Sequence, residues 1–146
     1  MKYLTGNLIT MALNGEFDVI VHGCNCHNRM KSGFAKELVE RIPEAEAADN
    51  KTIHGDEDKL GNYSMAIKGN LFVVNAYTQY RYGTDQVQVD YGAMRDVFKL
   101  IKRDFSGKRI GFPLIGCGLA GGDWNKVSAI IDDVLVGENY TCVVKE

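Results

Sequence analysis

The residues best suited to chemistry fall in two stretches, His22-Gly23-Cys24-Asn25-Cys26-His27-Asn28-Arg29-Met30-Lys31-Ser32-Gly33-Phe34-Ala35 and Phe112-Pro113-Leu114-Ile115-Gly116-Cys117-Gly118-Leu119-Ala120-Gly121-Gly122-Asp123-Trp124. The second sets four glycines between an apolar strand pattern and an amphipathic helix pattern. Glycine allows positive φ and lets backbone N–H groups approach an anion with no Cβ in the way, and a helix starting beyond the loop adds the positive end of its dipole. The chemistry this suits is the grip of a phosphate. The first stretch likewise leaves a buried strand, crosses a polar loop and opens a helix. Ligands of open α/β sheets collect in the crevice at the carboxyl ends of the strands, so the two loops are expected to face one site. Two phosphates held at once would suit a diphosphate joining two groups, as in a nucleotide sugar. Arg29 and Lys31 can add charge to this amide cradle, although a lysine there more often faces solvent.

Release of a terminal phosphate needs an activated water and stabilisation of the departing charge. His22, near the end of a buried strand, titrates in the useful range, or else is a hydrogen-bonded core histidine. Asp123 can orient water, cap the helix that starts at Trp124, or do both. Asn75, near Thr78 and Gln79, can position a ribose or water, or is an ordinary polar residue at a strand end. His22, Cys24 and Cys26 alternate along a strand and share one face, and His27 or Cys117 would complete four zinc ligands. Their spacing is unlike paired Cys-x-x-Cys knuckles, and buried cysteines are common in cores, so neither metal nor cofactor is expected. Trp124, Tyr77, Tyr80 and Tyr82 can stack on a base or pack in the core.

The elements that must position these residues follow from hydrophobic periodicity. Lys2–Leu4 and the nearly continuous apolar run Val19–Cys24 read as strands, with a turn at Asn14-Gly15 between them. Ser32 is placed to cap a helix over Gly33–Arg41, where Phe34, Leu38 and Ile42 recur every fourth residue until Pro43 ends it. Residues 48–58 read as a helix end and loop. Asn62–Ile67 and Leu71–Ala76, separated by Lys68-Gly69-Asn70, read as an antiparallel hairpin. Tyr91, Met94, Val97, Phe98 and Ile101 share a helical face before Gly107, and Arg109–Phe112 is a strand feeding the second loop. Val127, Ile130, Ile131, Val134 and Leu135 mark the buried side of the last helix, and Thr141–Val144 closes the chain as a strand. Strands alternating with helices around one hairpin imply an α/β fold, a mixed sheet covered on both faces.

A chain of 146 residues, 45% hydrophobic, suits one domain, with no linker, repeat or low-complexity tract. No apolar run reaches a membrane span and the first residues lack a signal peptide's apolar segment, so a soluble, cytoplasmic protein is expected. The four cysteines, Cys24, Cys26, Cys117 and Cys142, fit free thiols in a reducing compartment. A formal charge of −2 gives no general attraction for nucleic acid.

The ordered set Gly6-Asn7-Leu8, His22-Gly23-Cys24-Asn25-Cys26, Ser32-Gly33-Phe34-Ala35 and Ile115-Gly116-Cys117-Gly118-Leu119-Ala120-Gly121, with Trp124 opening the last helix, resembles the macro domain over almost the whole chain. That resemblance implies a three-layer α/β/α domain with a mixed sheet of about six strands, binding ADP-ribose with both loops around the diphosphate. It puts Asn7 and Leu8 near the adenine, where many relatives carry an aspartate that accepts from the exocyclic amine. It puts Asn25 at the distal ribose, and Ser32, Gly33 and Phe34 at one phosphate. Gly116, Cys117, Gly118, Ala120 and Gly121 hold the other, and Leu119 lies over the ligand.

His22, Cys24, Asn25 and Cys26 also match the His-x-Cys-Asn-Cys pattern of the ADP-ribose 1''-phosphate phosphatases. That likeness implies metal-independent hydrolysis of ADP-ribose 1''-phosphate, for which His22, Asp123 and Asn25 are the candidate catalytic set. Gly116 to Leu119 are similar as well to the terminal ADP-ribose protein glycohydrolases, which rely on a lysine and an aspartate. The corresponding positions here fall near Tyr77 or Thr78 and at Ala120, and the family's triple glycine is reduced to Lys31-Ser32-Gly33. The rival readings are a non-catalytic reader of ADP-ribose or ADP-ribosylated protein, and a hydrolase that removes ADP-ribose from modified carboxylate side chains or acts on O-acetyl-ADP-ribose. The expected partner is the small molecule, free or on protein, with no nucleic acid or membrane, and the chain is expected to be a monomer.

Overall fold

Strand β2 (Val19–Cys24) is buried on both faces because its side chains alternate between two separate apolar layers, Val19 and Val21 on one side and Ile20 on the other. The computed structural model describes residues 1–83, 87–118 and 120–146, so Leu119 lies outside the described residues. Around β2 the chain runs β1 (Lys2–Thr5), α1 (Leu8–Leu13), β2, α2 (Gly33–Arg41), α3 (Glu44–Asn50), β3 (Tyr63–Lys68), β4 (Leu71–Tyr77), α4 (Tyr91–Phe105), β5 (Arg109–Phe112), α5 (Trp124–Val134) and β6 (Asn139–Val144). Among the described residues six strands form one sheet in the order β1-β6-β5-β2-β4-β3. Every neighbouring pair is parallel except β3 with β4. The antiparallel pair is the expected hairpin, closed at Gly69, whose φ is +59°.

Two apolar clusters make the layers. Val74, Phe98, Ile101, Phe112, Val127 and Ile131 join the sheet to α4 and α5, while Ile20, Leu38, Ile42, Ala45, Val73 and Val143 join its other face to α1, α2 and α3. This is the expected α/β/α arrangement with a mixed sheet. The capping aspartates behave as their position suggests, Asp90 accepting from the Ala93 N–H and Asp123 from the Asn125 N–H. Ser32 stands at the amino end of α2 in extended backbone, but its side chain makes no capping hydrogen bond, contrary to the sequence reading.

Two helices differ from expectation. The stretch before Asn14-Gly15 is helix α1, held by burial of Leu8, Ile9 and Ala12 and capped by Asn7. Six residues are too few to display a helical period, so the helix was not visible in sequence. Beyond Pro43 the chain re-enters a helix at once, as α3, with Pro43 at its amino end, where a missing N–H costs nothing. Among the described residues, no helix is long and apolar enough to cross a membrane.

Candidate functional site

A cleft of about 800 Å³ opens at the carboxyl ends of the parallel strands. Asn25, Arg29, Met30, Ser32, Gly33 and Phe34 form one wall and Ile115, Gly116, Cys117, Gly118 and Ala120 the other. The two glycine-bearing loops therefore face each other across one space, as their sequences suggested. Gly33 and Gly116 have φ of +60° and +76°, and a Cβ on Gly116 would meet Met94 Cε and Val89 Cγ2 at 2.9 Å. Among the described residues, the Gly116 and Gly118 amides donate to no protein acceptor, which leaves them for an anion. Gly121 does not line the cleft; its N–H closes the second loop onto the Gly118 carbonyl at 3.1 Å.

One end of the cleft is framed by Asn7, Leu8, Glu37 and Lys145. Asn7 Oδ1 accepts from the Thr10 N–H at 2.9 Å as the cap of α1, and Nδ2 donates to Glu37 Oε1 at 2.9 Å. The acceptor role the resemblance gave Asn7 therefore competes with a capping bond. Among the described residues that line the cleft Glu37 is the one carboxylate. It was not picked out from sequence, where it reads as one of the solvated charges of α2, in i,i+4 register with Arg41.

The other end holds His22, Asn25, Gln79 and Tyr82. Register sets His22 beside Asn75 across β2 and β4, and His22 Nε2 lies 2.6 Å from Asn75 Oδ1. Asn75 Nδ2 donates to the Ala45 carbonyl and to Ser64 Oγ, so its Oδ1 is the acceptor and His22 carries its proton on Nε2. Nδ1 keeps a lone pair. Burial lowers the His22 pKa from 6.5 to about 4 against the opposing effect of the hydrogen bond His22 donates to Asn75, so the imidazole is neutral at ordinary pH. Asn25 is held inside its loop, Oδ1 accepting from the His27 N–H at 2.9 Å and Nδ2 donating to the Arg29 carbonyl at 3.0 Å. The Arg29 guanidinium lies over the exposed Tyr82 ring, 4.7 Å from its centroid.

Several candidates stand elsewhere. Asp123 is not among the described residues that line the cleft, and its carboxylate accepts from the Asn125 N–H as the cap of α5, one of the two roles its position suggested. Trp124 donates Nε1 to the Tyr3 hydroxyl. Tyr77 is buried, and Tyr80 donates to the Gly55 carbonyl. Thr78 is buried against Gly23 with its hydroxyl unpaired among the described residues. Cys24 contacts His22, but Cys26 donates to the Gln79 carbonyl. Among the described residues, no group of three or more His, Cys, Asp or Glu is placed to hold a metal ion.

This cleft, at the strand ends of a mixed sheet between two helical layers, belongs to a known architecture. A macrodomain protein from Streptomyces coelicolor superposes with a TM-score of 0.75 at 22% identity, over 97% of this chain and 98% of that one. DarTG of Thermosipho africanus, solved in complex with ADP-ribose, matches with a TM-score of 0.71 at 12% identity, over 89% of this chain and 38% of that one. A Bacteroides thetaiotaomicron protein of unknown function matches with a TM-score of 0.81 at 26% identity, over 100% of this chain and 99% of its own. The fold is that of the macrodomains. Within it, the chain belongs to one family with an uncharacterised 17.5 kDa protein of Enterobacteria phage T4, 31% identical over 141 residues that span 90% of this chain and 88% of that protein. No protein-family model matches the chain.

Proposed function

We propose that this protein binds ADP-ribose in the cleft and hydrolyses ADP-ribose 1''-phosphate to ADP-ribose and phosphate. The observation that carries the reading is the opposition of two glycine-bearing loops across a cleft of about 800 Å³, a spacing and size suited to a diphosphate with a nucleoside on one side and a ribose on the other. The likeness in fold to a protein solved with ADP-ribose supports the same ligand class. The adenosine lies towards Asn7, Leu8 and Glu37, and the distal ribose towards Asn25 and His22. Ser32, Gly33 and Phe34 hold one phosphate and the loop from Gly116 to Ala120 the other.

In the hydrolytic step water attacks the phosphorus of the 1''-phosphate and the bond between phosphorus and the ribose oxygen breaks. The water proton passes to Nδ1 of neutral His22, the departing ribose oxygen takes up a proton from solvent water and leaves as the hydroxyl of ADP-ribose, and the imidazolium then returns its proton to solvent. With a pKa of about 4, His22 is a weak base, so positioning by Asn25 and the loop amides carries much of the acceleration. A second reading, a reader that binds without turnover, is favoured by one observation. The only carboxylate lining the cleft among the described residues, Glu37, stands at the Asn7 end, away from the bond to be broken.

The deciding experiment measures phosphate release from ADP-ribose 1''-phosphate in the presence of a chelator, alongside calorimetric titration with ADP-ribose. Binding with release is expected. Binding without release establishes the reader or directs attention to ADP-ribosyl carboxylate esters and O-acetyl-ADP-ribose, and absence of binding overturns the ligand assignment.

A further inference from the structure

Lys59 lies outside the cleft, on the single helical turn Glu57–Lys59, yet it is only 8% exposed. A lysine is seldom buried without a reason, because its ammonium loses hydration that must be replaced by fixed partners. Its Nζ donates to Asn28 Oδ1 at 2.6 Å and to Thr52 Oγ1 at 3.0 Å, and lies 5.0 Å from the centroid of the Tyr77 ring. Thr52 Oγ1 in turn donates to the Asp49 carbonyl, and Asn28 Nδ2 donates to the Thr52 carbonyl at 3.2 Å. Both ends of the Asn28 amide are thus tied to the segment after α3.

Asn28 is also the one non-glycine residue with positive φ among the described residues, at +54°. Asparagine visits the left-handed region more readily than other side chains, but a surrounding structure must still hold it there. The residues on either side of that corner belong to the cleft. Asn25 closes a turn on the His27 N–H and the Arg29 carbonyl, and Asn25, Arg29 and Met30 form part of the wall. A second branch leaves the same region for the cleft floor: Tyr77 donates to Asp49 Oδ1, Ser64 lies 2.8 Å from the Tyr77 hydroxyl, and Asn75 donates to Ser64 and accepts from His22.

We infer that Lys59 is a positioning residue of the ligand site: by clamping Asn28 in the left-handed conformation it fixes the loop 25–30 that carries Asn25 and Arg29 into the cleft. The part of this inference that concerns ligand rests on the reading of the cleft as an ADP-ribose site, whereas the part that concerns the loop does not.

The test compares the whole protein with K59M, N28G and the double variant by amide hydrogen exchange and by titration with ADP-ribose. In K59M the amides of residues 25–31 are expected to exchange about tenfold faster or more while those of β2 and β4 keep their protection. Affinity for ADP-ribose is expected to fall about tenfold or more. Glycine at position 28 can keep the backbone angle but removes the bond to Lys59, so the losses in N28G and K59M should not add in the double variant. Unchanged loop exchange in K59M, or additive losses, overturns the inference. Should K59M fail to fold, N28G with wild-type exchange and affinity does the same. If the unsubstituted protein takes up no ADP-ribose, the ligand reading fails by itself, and loop exchange still decides the role of Lys59.

Discussion

His22 is neutral because strand β2 buries it, and the partner it finds among the described residues, Asn75 Oδ1, is an uncharged acceptor of one hydrogen bond that does not balance an imidazolium. Its pKa of about 4 lies below the 6.5 of an unburied histidine, so between those values the unfolded chain binds more protons than the folded one. The resulting stability is complete above pH 6.5, is lost as pH falls from 6.5 to about 4, and changes no further below that. At 1.36 kcal/mol per pKa unit the full effect is about 3 kcal/mol. Asp49, raised chiefly by burial, runs the opposite way, giving up stability as pH rises from the ordinary aspartate value of 3.8 to its folded one. Urea denaturation of His22→Gln, which keeps a donor for Asn75 without a titrating ring, is therefore expected to show a flatter loss between pH 6.5 and 4; an unaltered slope would remove His22 from this account. The candidate role of His22 was legible because a histidine inside an apolar strand run is conspicuous. The resemblance pointed to Asn7 and Asn25, and both line the cleft, but the bonds that occupy their amides were not legible, since short polar side chains find nearby backbone partners that no spacing rule displays.

At the scale of elements the same tendency occupies Asp123. Its carboxylate reaches the Asn125 N–H of α5, the ordinary bond of an aspartate before a helix, and the cleft lies elsewhere. Asp123→Ala is expected to lower stability by about 1 kcal/mol, the usual cost of a lost cap, while leaving ADP-ribose affinity and any phosphate release as in the parent. A fall in turnover at unchanged affinity would restore Asp123 to the chemistry. The strands β2, β4 and β5 and the helices α4 and α5 were legible within a residue or two, because each carries a long apolar run or a full helical stripe that survives any tertiary context. Helix α1 escaped because its six residues derive their stability from burying Leu8, Ile9 and Ala12, a fact of packing and not of propensity.

At the scale of the whole molecule the cleft exists because parallel order brings the ends of β2 and β5 side by side, so that loops far apart in sequence become opposite walls. The sequence motifs marked two candidate anion loops. Their opposition followed from the sheet order, and the buried ties behind them, such as Lys59 to Asn28, followed from contacts that no periodicity encodes. The second wall depends in turn on the helical layer behind it. Gly116 packs on Met94 and Val89, and Gly122 donates to the Gly116 carbonyl at 2.8 Å with no room for a side chain. A Cβ on Gly122 would overlap the Gly116 carbonyl oxygen and approach Val89 Cγ1 to 2.8 Å, whereas a Cβ on Gly118 would meet nothing within 4 Å. Gly122→Ala is therefore expected to cost about 1–3 kcal/mol of stability, as overpacking does, and to weaken ADP-ribose binding by displacing Gly116. Gly118→Ala should melt like the parent, and any loss of affinity it shows reports a ligand lying against that loop. Thermal denaturation and calorimetry of the two variants side by side check this. If Gly122→Ala melts and binds like Gly118→Ala, the second loop is not braced through Gly122 and its shape must be held by the ligand itself.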